Sequence, residues 1–467
     1  MLAVSSPRFV VFAALLVGLW YLCVPSKRWL LMLAASAVFY ISLDWQGFLV
    51  LLAGTLVVWA CALHAPEKNG FFALGLAGAL APIVLLKYYV AAAGGLQAML
   101  GLRLWQPEIL QPLGIGYFTL QLVSYLVDVR RGVLLPQRSF ARVLCFSSFF
   151  LSITQGPFNR YNELMPQLDA DTRWDSNRAW RGAIRCFWGY FKKIAVADRA
   201  AVVVGVVFAD PASFDRTQLL LATTLYSFQL YADFSGYTDI VLGIGQVLGL
   251  ELPENFRQPY LSATVKEVWS RWHMSLSRWL KDYVYIPLGG SRCSTARRDV
   301  NLIATFLVSG LWHGAGLTYL LWGFLHGAFQ ALENHLPWRH AITKGWARLV
   351  GIAGTFCVMT FAFTIFRSAS LTDAAQYFYG ILHNGGHKAL SNYWELGLTT
   401  RQEQFFLFAG LAILIAGDLL QEYHVPLLDK LAAAPRLLRW AAYEVAIFAF
   451  LLMGYFLSGG GFLYARY

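Results

Sequence analysis

Charge is what this chain has least of. Only 13% of its 467 residues are Asp, Glu, Lys or Arg, against roughly 25% in an ordinary soluble domain. No long polar stretch separates one apolar run from the next, so the chain does not divide into about three soluble domains, as its length alone would suggest. Cysteine is sparse and dispersed. The six residues, Cys23, Cys61, Cys145, Cys186, Cys293 and Cys357, form no CxxC pair. That argues against a disulfide framework and a zinc site, and leaves them as apolar filler. Internal repeats and low-complexity tracts are also lacking. The first apolar run, Phe9–Val24, has no clear small-x-small cleavage site and is followed by Lys27 and Arg28. It is therefore expected to remain as a span rather than be removed as a signal.

What the chain has is apolar surface: 58% of residues are hydrophobic and 16% aromatic. Crossing the hydrocarbon takes about 20 apolar residues as a helix. Candidate spans are 9–25, 29–45, 47–64, 70–96, 111–129, 143–158, 178–208, 217–250, 301–332, 346–368, 404–421 and 439–464. Some are long enough to hold a break, so the expectation is about ten to thirteen membrane helices. The runs are continuous, as in LLAGTLVVWACAL, where barrel strands would alternate. The fold class expected is all-α: a polytopic membrane protein, with residues 1–467 as one domain. The net charge of +11 fits loops near anionic head groups. Because the basic residues are scattered among apolar spans, nucleic acid is not an expected partner. Lys27, Arg28, Lys68, Arg130, Arg131, Arg138 and Arg142 follow alternate spans, which puts those loops in the cytoplasm and the N-terminus outside. Arg8 and Arg103 run against that orientation.

Residues 251–300 differ from the rest. Val265, Trp269, Trp272, Leu276, Trp279 and Tyr283 step by four and three, as one helical stripe does. Lys266, Glu267, Ser270, Arg271, Ser277, Arg278 and Lys281 fall opposite. The pattern predicts an amphipathic helix lying in the head-group plane, ended by Pro287 and Gly289–Gly290. A helix packed on protein is the plainer alternative. Arg271, Arg278 and Lys281 offer a basic rim suited to donor phosphates, though lipid phosphate would suit them equally. His273 lies on the border of the two faces.

Two histidines stand in the apolar run 301–330. His313 sits in GLWHGAG and His326 in WGFLHGAF. Ionisable groups at such depth are costly and usually functional, although each could equally be a packing residue bonded to a carbonyl. On one straight helix they would diverge by about 140°, so they converge only if the segment breaks at Gly314–Thr318. Desolvation keeps an imidazole neutral, and a neutral imidazole can take a proton from a hydroxyl. That chemistry suits acyl transfer to an alcohol. In QLYADFSGYTDI, Asp233 and Asp239 do not share a helix face. Asp233 is read as a structural acid bonded to backbone or to a base, and no metal site is expected. In TQGPFNRY, Gly156–Pro157 breaks the span and predicts a bend at the interface.

The stretches QGPFNRYNEL, YADFSGYTDI, LPENFRQPYLSATVKEVWSRWHMSLSRWLKDYVYIPLGGSR and VSGLWHGAGLTYLLWGFLHG together resemble the membrane-bound O-acyltransferase family, strongly over 150–330. The likeness is to its bacterial branch, with its alginate-acetylation and teichoic-acid alanylation groups. The resemblance implies a ring of membrane helices around a central tunnel, with His313 as the invariant catalytic histidine and His326 as the second, supporting one. It implies substrate or tunnel contacts for Trp312, Asn255, His273, Asp233 and Tyr237. The donor would be a cytoplasmic thioester on coenzyme A or an acyl carrier protein, with no bound cofactor. The acceptor would be an extracytoplasmic polysaccharide hydroxyl, or an acetylase- or esterase-like partner protein that relays the group. Membrane lipid surrounds the chain, and the location implied is the bacterial cytoplasmic membrane. IPLGGSR and SGLWHGA lean toward acetylation, and QGPFNRY toward D-alanyl transfer. A transporter or flippase is the competing class. It would show paired broken halves, and none is found.

Overall fold

The computed structural model describes residues 2–101, 104–105, 111–337, 345–385, 396–398 and 400–456, and among these there are helices and no strand. Four helices are long and apolar enough to cross a membrane by length and composition: Trp45–Ala62, Asn69–Gln97, Ala347–Arg367 and Arg401–Glu422. Large apolar side chains stand exposed along other helices too, among them Leu15, Leu19, Val445 and Phe448. Such a surface needs lipid around it.

Among the described residues the longest helix is Arg216–Leu248. At 33 residues it is about 50 Å long. Asp215 caps its start in a reciprocal box with Gln218, and Gly249, at φ 80°, ends it in the left-handed conformation. Its polar residues exclude it from the most apolar group, yet protein covers it nearly throughout. It packs on Ser176–Phe191 through glycines. A Cβ on Gly182 would lie 2.6 Å from the Gly243 carbonyl oxygen, and one on Gly189 would lie 2.5 Å from that of Gly236. The two glycines on each helix are seven residues apart, so two contacts a pair of turns apart bring the backbones together.

Most expected spans are helical close to their predicted limits, and 457–464 lies outside the described residues. Residues 143–158 are the exception. The helix Phe140–Ser147 stops, and the chain runs on through turns and extended backbone to Arg160. Residues 151–160 are all buried, so the TQGPFNRY bend lies inside the protein rather than at an interface. Several of its polar groups find internal partners, as irregular backbone at depth requires, whereas the Gln155 side-chain amide has none among the described residues. Asn159 Nδ2 donates to Ser152 Oγ at 2.6 Å, and Phe158 N donates to Ser275 Oγ at 2.9 Å.

The amphipathic stretch also departs from expectation. It forms two short helices, Val265–Trp269 and Met274–Leu280, followed by a π-helical turn at Lys281–Tyr285. His273 separates them in the left-handed region, at φ 45°. The apolar stripe is covered by protein and not by head groups: Trp269, Trp272, Leu276 and Trp279 are 7%, 2%, 1% and 6% exposed. Lys266, Ser270, Arg278 and Lys281 do face outward. The amphipathic pattern was sound, and other helices take the place expected for lipid.

The basic loops meet one another. Arg130 donates to the carbonyls of Ala65 and Pro66, Arg131 to that of Asp282, and Arg28 to those of Ala170 and Thr172.

Candidate active site

The run 301–330 folds as two helices, Thr295–His313 and Leu317–His335, with the break at Gly314–Gly316. That is the break on which convergence of the histidines depended. The hairpin is tight because glycines admit the facing backbone. A Cβ on Gly310 would lie 2.3 Å from the Tyr319 carbonyl oxygen, one on Gly323 2.4 Å from that of Phe306, and one on Gly327 2.7 Å from Ile303 Cα. Gly323 and Gly327 form a GxxxG pair.

Folded this way, His313 and His326 both contact Trp322. Its indole is edge-on to each imidazole, with centroids 5.1 Å from His313 and 4.8 Å from His326. Trp269 also meets His326, at 5.1 Å, and its Nε1 donates to His326 Nδ1 at 3.3 Å. Trp312 lies 4.7 Å from His313 and 6.0 Å from His273. Three imidazoles and three indoles thus alternate in one buried chain: His273, Trp312, His313, Trp322, His326 and Trp269.

His313 is 2% exposed and His326 0%. Phe366 adds a third ring against His313, at 5.4 Å. Trp312, Trp322 and Phe366 thus press on the His313 ring. The interior is polar all the same. Trp312 Nε1, Trp322 Nε1, His326 Nε2 and Ser309 Oγ are enclosed and have no hydrogen-bond partner among the described residues. Buried polar atoms are nearly always paired, so such a group on one hairpin suits a ligand carrying hydroxyl or carbonyl oxygen.

Asn255 is wholly buried. Its Oδ1 accepts from Ser275 N at 3.2 Å and Ser275 Oγ at 2.6 Å, and lies 3.4 Å from His273 Nδ1. It thereby caps the helix beginning at Met274 and fixes His273 at the break. Phe158, from the buried bend, stacks on His273 at 5.9 Å and on Tyr117 at 4.8 Å. Tyr237 shares a hydrogen bond of 2.5 Å with Thr154 in the same bend. The carboxylate of Asp233 is taken by Lys193 at 2.7 Å, a base as the sequence suggested.

The three basic residues diverge. Arg271 is clasped by Glu422 at 2.6 and 3.1 Å and by Glu267 at 2.8 Å. Arg278 forks onto Glu163 at 3.2 and 2.5 Å and remains half-exposed. Lys281 lines a cavity of about 170 Å³ together with Trp269, Leu280, Tyr285, Phe306 and Gln330. Trp269 thus forms part of that cavity's wall and also bonds His326. Among the described residues no group of three or more His, Cys, Asp or Glu could hold a metal ion.

Sequence reasoning missed Lys87. Its Nζ donates to the carbonyl oxygens of Trp312 and His313 at 2.9 and 2.8 Å. A cation belongs at a helix C-terminus, where carbonyls lack partners. The signal was legible, as LLKYY puts a lysine deep in an apolar run. The lysine sits on a π-helical turn, Val84–Tyr89, a distortion frequent at functional sites. The sequence pattern marks Trp269 only as part of the apolar stripe and assigns Trp322 no role.

Residues 109–372 match the profile described as MBOAT, membrane-bound O-acyltransferase family. The chain is 34% identical over 433 residues to the "probable alginate O-acetylase AlgI" of Pseudomonas putida, covering 88% of this chain and 86% of that protein. It is 33% identical over 398 residues to the peptidoglycan O-acetyltransferase of Helicobacter pylori, covering 77% and 74% of the two chains. Against the teichoic acid D-alanyltransferase of Bacillus subtilis identity is 29% over 272 residues, covering 54% of this chain and 68% of that one. The buried histidine hairpin lies inside the matched region, and on this evidence of sequence and fold the chain belongs to the membrane-bound O-acyltransferase family and is a membrane acyltransferase.

Proposed function

We propose that this protein is a single-domain O-acyltransferase of the bacterial cytoplasmic membrane, with about ten to thirteen membrane helices ringed around a central passage. It takes an acetyl group from a cytoplasmic thioester, on coenzyme A or an acyl carrier protein. It delivers that group to a hydroxyl of a cell-surface polysaccharide, or to an acetylase- or esterase-like partner that completes the transfer. The observation that carries this reading is the hairpin that sets His313 and His326 on one indole, within a buried group of unpaired polar atoms. Acetyl is preferred to D-alanyl because the relatives named as acetyltransferases are covered over more of the chain, and at higher identity, than the alanyltransferase.

In this mechanism His313 is the general base for the acceptor hydroxyl, and a neutral ring suits that task. Lys87 holds the backbone of His313 and Trp312 still. Asn255, His273, Tyr237 and Asp233 shape the surrounding wall. Lys281 receives the donor's phosphates beside the cavity that ends at Trp269, with Arg278 nearby on the same short helix and turn. Arg271, held by Glu422 and Glu267, orders the segment. Aromatic side chains move to admit the acyl group.

The test is transfer of radiolabelled acetyl from donor to glycan in membrane vesicles. His313→Ala should lower the rate by about 10²- to 10⁴-fold, the usual range for a general base, with unchanged membrane insertion. Wild-type rates in that variant would remove the mechanism. Intact thioester after incubation with the wild-type protein would favour a transporter instead.

A further inference from the structure

Resting on the acyl-transfer reading, we infer that His326 acts as a fixed Nε2–H donor to the carbonyl oxygen of the acyl group, and that Trp269 is the positioning residue that sets this tautomer. Trp269 Nε1 lies 3.3 Å from His326 Nδ1. An indole nitrogen can only donate, so Nδ1 accepts and carries no proton. A proton on Nδ1 would set two N–H groups against each other. The single proton of the neutral ring therefore sits on Nε2.

That atom is enclosed, has no hydrogen-bond partner among the described residues, and belongs to a residue 0% exposed. Trp269 is itself held in place by Phe306 at 5.0 Å and Trp322 at 5.7 Å. The two histidines on this hairpin thus take different parts. His313 is the base, and His326 is a donor that keeps its proton. As the acceptor oxygen attacks the thioester carbon, His313 takes the hydroxyl proton and the carbonyl oxygen becomes an oxyanion bonded to His326 Nε2–H. The carbonyl then re-forms, the C–S bond breaks, and the leaving thiolate takes the proton from His313. The products are an ester and a thiol.

The tautomer is read by ¹⁵N NMR of the full chain in lipid nanodiscs, with ¹⁵N-labelled histidine and His326→Gln to assign the signal. A protonated Nε2 and bare Nδ1 are expected in the wild type, and Trp269→Phe should shift His326 toward the other tautomer while the His313 signals stay. Losing one such donor costs about 10²- to 10³-fold in kcat. That loss is expected for His326→Leu, with KM little changed. His326→Gln, which retains an N–H, should recover at least about tenfold of it. An Nδ1–H tautomer in the wild type, a Trp269→Phe variant with an unshifted tautomer, or a Gln variant as slow as Leu would each overturn the inference. Failure of the acyl-transfer reading would show separately, as turnover that does not depend on His313.

Discussion

At the residue scale the site depends on groups that orient others. Lys87 donates to carbonyl oxygens of the His313 turn, and those oxygens end the helix that presents the imidazole. Hydrogen bonds to a charged group contribute about 1.5–3 kcal/mol. Lys87→Met keeps the apolar stem and removes the donor. The expected result is a fall of roughly tenfold or more in acetyl transfer, since small displacements of a reacting group cost up to about 10²-fold. A smaller loss of thermal stability should accompany it. Unchanged turnover, measured in the vesicle assay beside a melting curve in detergent, would show that the helix end holds itself. His313 and His326 stand out in sequence because a polar ring in an apolar run needs a reason. Trp269 and Trp322 did not, because an indole at helical spacing reads equally well as core. Only its contact with an imidazole reveals another use.

At the scale of elements, glycine decides how closely helices approach. Gly182 and Gly189 face Gly243 and Gly236, and Gly310, Gly323 and Gly327 close the histidine hairpin. Overpacking such a contact typically costs about 1–3 kcal/mol. Gly236→Val should therefore lower the melting temperature in detergent by several degrees. Gly205→Ala should not, because no atom of the described residues lies within 4 Å of a Cβ placed there. Equal melting of the two variants would mean that the glycine contacts add nothing to stability. The heptad spacing of these glycines is visible in the sequence once the partner helix is known. Without the pairing, a glycine in an apolar run signals weakness as readily as close contact.

For the whole molecule, an ion-pair network ties segments far apart in the chain. Arg271 bonds Glu267 and Glu422, and Arg348 reaches both acids at 3.4 and 3.5 Å. The helix Arg401–Glu422 is thereby anchored beside the Trp-rich segment. Removing one partner of an enclosed pair leaves the other uncompensated. Arg271→Gln should speed hydrogen exchange at the C-terminal end of 401–422 and lower stability by about 1–3 kcal/mol. Exchange unchanged there would show Arg348 alone to be sufficient. Arg271 reads in sequence as part of a basic rim suited to phosphate. The acids that neutralise Arg271 include one 151 residues away, which no local pattern can show.

Composition alone determined that the chain is helical and membrane-embedded, because continuous apolar runs with so few charges can satisfy their backbone in lipid only as helices. Residue type and neighbourhood singled out His313 and His326, since the cost of burying an imidazole is a property of the residue. Tertiary structure decided which surfaces face lipid and which face protein, and so turned the Trp stripe inward and put the TQGPFNRY bend inside. It also decided that His326 bonds an indole. Periodicity records only that a face is apolar, whereas the identity of what covers it is fixed by contacts between segments far apart in the chain.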